Sequence, residues 1–152
     1  MRKSLVIIYF LFICIVPALS VEMSNCLSDQ KYVQISNVDI RSNVNCGGQY
    51  GIMVTFDCDA IGYKGYPIYF YSYFLHGDDL SNVKKGGKSV YGFSITTAVY
   101  DKTTIRKISH FIPYKNLPSR YHGNLAVRIV VFDGFDNNVY TGRPIQIFYS
   151  TL

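Results

Sequence analysis

The stretch Gly51-Ile52-Met53-Val54-Thr55-Phe56-Asp57-Cys58 decides the fold class. Ile52, Val54, Phe56 and Cys58 take every second position, with Met53, Thr55 and Asp57 between them. Side chains of an extended chain point alternately to opposite faces, so this spacing is that of a strand with one face in a core.

The same period of two runs outward in both directions. It marks strands at about 32–40, 51–58, 68–75, 89–99, 106–112, 125–132 and 145–150, with a short piece at about 139–141, separated by clusters of Gly, Asn and Asp. No stretch after residue 30 holds a helical period. Seven or eight short strands with turn signals about every ten residues predict an all-β chain, folded as an antiparallel two-sheet sandwich. Pro67 and Pro144 stand at the starts of runs, where a missing N–H costs no ladder bond, and Pro113 and Pro118 bracket a structured turn, PYKNLP.

The chain has 152 residues, and its one long apolar run, Leu5 to Leu19, follows Arg2 and Lys3 and ends near the small residues Ala18 and Ser20. That run is short and terminal for a spanning helix, and its order of charge, apolar middle and small residues is that of a secretory signal. Residues 1–20 are therefore expected to be a signal peptide, 21–31 a lead-in and 32–152 a single sandwich domain, secreted to the extracellular space or periplasm. Loss of Arg2 and Lys3 lowers the formal charge of +5 by two, leaving a mildly basic protein. Aromatic and charged residues each make up 16% of the chain, which excludes a disordered or collagenous class.

Export permits disulfides, and Cys26, Cys46 and Cys58 remain after Cys14 leaves with the signal. Cys58 continues the core-facing alternation at a strand end that Cys26 can approach, so a Cys26–Cys58 bond is expected. Cys46, in the turn NCGGQYG, is then a free thiol or an intermolecular bridge. The alternative is that all three are reduced and structural.

Three longer segments, YGIMVTFDCDAIGYKG, YFYSYFLHGDDL and VYDKTTIRKISHFIPYKNLPSRYHGNLAVRIVVFD, resemble a C2-like β-sandwich module of secreted or multidomain bacterial proteins. Lys64 with Gly65, Gly77 with Leu80, Ile112-Pro113-Tyr114 with Leu117, and Gly123 occupy the turn and core places of that module. The resemblance spans about residues 33 to 149 and implies a fold rather than a chemistry. The chain departs from the module in lacking tryptophan and in having Cys46 and Cys58.

Strands that alternate up and down place every second loop at one end, and Asp57, Asp59, Asp101, Asp133 and Asp136 are expected there together. Calcium takes six to eight oxygen ligands, and C2 domains collect carboxylates in this way, so calcium is the one cofactor these residues suggest. Aspartate in turns serves equally to bond the nearby backbone. The opposite end brings together His76, Asp78, Asp79 and His122, a conceivable zinc set. It also holds Lys84, Lys85, Lys88, Lys115 and Arg120, a patch suited to an anionic lipid, a glycan or an acidic protein. Tyr69, Tyr71 and Tyr73 share one face of a strand, opposite Ile68, Phe70 and Phe74, and an open row of this kind stacks on sugar or binds protein. His110 reads as a packed or hydrogen-bonded strand residue.

Glu22 is the only glutamate, and the chain has no nucleophile elbow, phosphate-binding glycine loop or zinc-protease motif, so no enzyme is expected. Nucleic-acid binding would need a stronger basic bias. The expected function is a non-catalytic module that binds a protein or an anionic surface through loops at one end. The alternative is peripheral contact with anionic lipid, driven by calcium or by charge alone.

Overall fold

A computed structural model describes residues 31–118 and 123–149. The signal segment, Cys26, Arg120 and His122 lie outside the described residues. The elements in chain order are β1 (Tyr32–Cys46), β2 (Gln49–Ile61), β3 (Pro67–His76), β4 (Lys84–Lys85), β5 (Lys88–Ser89), β6 (Tyr91–Thr97), β7 (Lys102–Pro113), a 3-10 turn (Tyr114–Asn116), β8 (Gly123–Asp133), β9 (Asn138–Thr141) and β10 (Ile145–Tyr149).

The fold is all-β and antiparallel, as the alternation predicts. One sheet has the order β1-β2-β7, and the other has the order β10-β8-β3-β6, with β9 also paired to β8. β9 and β10 share one flank of β8: β10 follows Gly123 to Val127, and β9 follows Val130 to Phe132. The two-residue strands β4 and β5 form a separate small hairpin that the sequence pattern does not announce. β1, β2 and β7 run several residues longer than the predicted stretches, because a strand continues wherever a neighbour supplies ladder bonds, whatever the hydropathy of its ends.

The core lies between the two sheets. Ile52, Val54, Phe56, Cys58 and Ala60 of β2 face Ile68, Phe70 and Phe74 of β3 and Leu125, Val127, Ile129 and Val131 of β8, all buried. The rings of Phe56 and Phe70 meet across the sheets at 5.9 Å. β1 and β2 join at Gly47-Gly48, which have φ values of 59° and 78°; two consecutive left-handed residues suit the twist of a tight hairpin, and glycine adopts them without strain.

Cys58 is a free, fully buried thiol, pushed up to about 12 by burial, with the charge of Asp59 adding to it. The expected bond to Cys26 is thus not seen at Cys58. Cys46 is free and exposed beside the hairpin turn.

Candidate functional site

Asp57 and Asp59 lie within β2, on the outer face of the three-stranded sheet, rather than in a loop. Asp57 accepts hydrogen bonds from Asn37 Nδ2 at 2.8 Å, the Lys107 backbone N–H at 2.8 Å and Arg106 at 3.0 Å. These donors, Asn37 first, hold its carboxyl down at about 2. Asp59 accepts from the Thr104 hydroxyl at 2.6 Å. Asp133 closes its own turn by accepting from the backbone N–H groups of Phe135 and Asn137 and from the Asn137 amide. Among the described residues no group of three or more His, Cys, Asp or Glu is placed to hold a metal ion. The bonds made by Asp57, Asp59 and Asp133 lie within the sheet and the turn, and they lend no support to the calcium expectation for Asp57, Asp59, Asp101, Asp133 and Asp136.

Of the lysines expected at the other end, Lys85 and Lys115 are brought together through a backbone carbonyl. Lys85 Nζ donates to the carbonyls of Lys115 and Leu117, tying the β4–β5 hairpin to the 3-10 turn, while Lys84 and Lys88 stay exposed. In the zinc set, Asp79 accepts the Ser81 N–H at 2.9 Å and so serves its own turn.

His110 is buried, as expected of a packed strand residue. Its Nδ1 lies 2.8 Å from the Ser72 hydroxyl and its Nε2 lies 2.8 Å from the Ser94 hydroxyl, so one ring joins β7 to β3 and β6. Burial pulls its imidazole down to about 4.

The most distinctive surface is the outer face of the five-stranded sheet. Ile68, Phe70, Ser72 and Phe74 turn inward, which leaves Tyr69, Tyr71 and Tyr73 outward. The register aligns three rungs across β6, β3 and β8: Ile95, Tyr69 and Phe132; Phe93, Tyr71 and Val130; Tyr91, Tyr73 and Arg128. Tyr71 is the hub, with ring centroids 5.0 Å from Phe93, 5.5 Å from Tyr91, 5.6 Å from Tyr73 and 5.7 Å from Phe132. Burial raises the Tyr71 and Tyr73 phenols above their usual range, with neighbouring phenols adding to it, so both stay neutral. Tyr91, Phe93 and Ile95 on the edge strand β6 are 47%, 48% and 53% exposed.

Two depressions flank this face. A cleft of about 260 Å³ takes apolar walls from Tyr73, Leu75, Val130 and Phe132 and polar groups from Asn82, Arg128, Asn138 and Thr141. Among the described residues, Arg128 Nε is buried and has no hydrogen-bond partner. A wider groove of about 980 Å³ shares Tyr73 and Asn82 with the cleft and adds Lys85, Lys88 and Tyr91.

The tyrosine row was legible in the sequence, but Arg128, Phe93 and Ile95 were not. The run YGFSI has Gly92 and Ser94 facing inward, so the hydropathy of β6 is inverted and its apolar side reads as the buried one. Comparison of the chain with protein-family models, curated proteins and solved structures returned no match.

Proposed function

We propose that the chain is a secreted, non-catalytic binding module, a C2-like sandwich that docks a macromolecular partner on the outer face of its five-stranded sheet. The observation that carries this reading is the joined aromatic cluster with Tyr91, Phe93 and Ile95 about half exposed along its edge. A contiguous apolar patch rimmed by polar and cationic groups is characteristic of interaction surfaces, and tyrosine and arginine are the residues that most often dominate them. The sheet face is a better supported contact than the end loops, where Asp79 and Asp133 are engaged in their own turns. The non-catalytic part is supported by the burial of Ser72 and His110, at 0% and 3% exposure, which keeps substrates from that hydroxyl–imidazole pair. The charged, then apolar, N-terminal run supports export.

The test compares the chain with a Phe93→Ser/Ile95→Ser double variant in binding to intact cells and matrix from the environment into which it is secreted. Retention of the first and loss of the second, at equal melting temperature, supports the reading. Equal binding by both overturns it.

A second reading, electrostatic contact with anionic lipid, is favoured by the exposure of Lys84 and Lys88 on the small hairpin. It predicts sedimentation with phosphatidylserine vesicles that weakens as salt rises. Absence of sedimentation at low salt rejects it.

A further inference from the structure

The cleft beside the aromatic face has an unusual balance of groups. Arg128 stands on β8 opposite Tyr73, and its guanidinium keeps a buried Nε–H with no hydrogen-bond partner. A buried donor left unpaired is costly, more so when charged, so an acceptor that reaches it through the cleft is favoured. The cleft lining includes no acidic side chain that could serve instead. A guanidinium presents its N–H groups as a planar fork, which matches a carboxylate.

The rest of the lining narrows the ligand further. Asn138 bonds Thr141 and Asn82 bonds Ser89, and the donor and acceptor positions these amides and hydroxyl have left are the complement of sugar hydroxyls. Tyr73 and Phe132 offer aromatic surface to the C–H faces of a ring. A lone acidic side chain would engage the arginine and leave most of the 260 Å³ and the neutral polar groups unused. The geometry points to Arg128 as the anchor of a subsite for a carboxylate-bearing sugar. The larger groove that meets the cleft at Tyr73 and Asn82 carries Lys85 and Lys88, so it receives the neighbouring units of an acidic polysaccharide. The net positive charge of the chain draws such a polyanion in. This inference rests on the outer sheet face being the contact surface, and it names the chemistry of what binds there.

The test uses the purified chain with oligogalacturonate, hyaluronan oligosaccharides and polysialic acid as probes. Methyl-esterified oligogalacturonate and poly-L-glutamate are the controls, and the Arg128 Nε–Hε resonance is the local readout. At least one acidic saccharide is expected to shift that resonance, with esterification and Arg128→Gln each weakening binding about tenfold and Arg128→Lys recovering only part of it. Asn138→Ala should weaken saccharide binding while leaving the melting temperature in place. Failure of all three saccharides, equal binding of poly-L-glutamate, or indifference to Arg128→Gln overturns the inference. If Phe93→Ser/Ile95→Ser abolishes cell binding while Arg128→Gln does not, the sugar subsite fails and the docking face stands.

Discussion

His110 of β7 and Ser72 of β3 hydrogen-bond across the interior of the sandwich at 2.8 Å, and with the His110–Ser94 bond this joins two sheets whose core is mostly apolar. The contact also has an electrical consequence, since the ring can carry a proton only inside the core. Its imidazole lies at about 4 against an ordinary 6.5. The unfolded chain takes up that proton at higher pH than the folded chain does, so the His110 contribution is intact above about 6.5 and is lost as pH falls toward about 4. A loss on the order of 2 kcal/mol across this window is expected. Melting curves from pH 7 to 4 should show it, and His110→Gln should flatten the slope. An unchanged slope in the variant would assign the pH response elsewhere.

Gly92 makes room for that ring. A Cβ at this position would lie 2.4 Å from His110 Cβ, closer than packed carbons approach. Gly92→Ala is therefore expected to destabilise the chain by about 1–3 kcal/mol. His110→Gly, which removes the clashing Cβ, should relieve most of this added cost in the double variant. Strict additivity in a double-mutant cycle by urea unfolding would show that the two positions do not compete for the same space.

Asp57 restrains irregular backbone in two strands. Asn37 and Lys107 have φ values of 52° and 56° at register breaks in β1 and β7, and both donate to this one carboxylate. Asp57→Ala should lower the melting temperature by several degrees and speed hydrogen exchange at Lys107 N–H. The depressed carboxyl sets the sign of the pH effect: its contribution is whole above about 4 and is lost as pH falls toward about 2. A variant with unchanged acid sensitivity in that window would contradict the assignment.

The two described cysteines should differ sharply toward an alkylating reagent. Cys46 is exposed, whereas Cys58 is buried and pushed up to about 12, which leaves almost no thiolate at neutral pH. Peptide mapping after brief iodoacetamide treatment should find Cys46 modified and Cys58 protected. Unfolding without reductant should then expose Cys58 to modification, and protection persisting in the unfolded chain would mean that Cys58 is bonded.

The strands were readable because period-two alternation is a local signal, and Ile52, Val54, Phe56 and Cys58 all fall inward as that signal predicts. His110 was readable for the same reason, as a polar residue in a buried run that had to be bonded. The bonding of Asp57 was not readable because a bulge is a property of a strand pair: nothing near Asp57 in sequence says that Asn37 and Lys107 converge on it. Arg128 was missed because its meaning comes from register, which puts it opposite Tyr73 and beside the end of β9. A single chain of letters does not state either relationship.

The division of one flank of β8 between β9 and β10 bears on how the protein can change over time. Residues 142–144 pass from one short ladder to the other beside Arg128, so the joint belongs fully to neither ladder. Insertions or substitutions there leave the nine-residue β3–β8 register untouched. The joint thus gives the cleft a border that can be lengthened, shortened or recharged without rebuilding the sandwich.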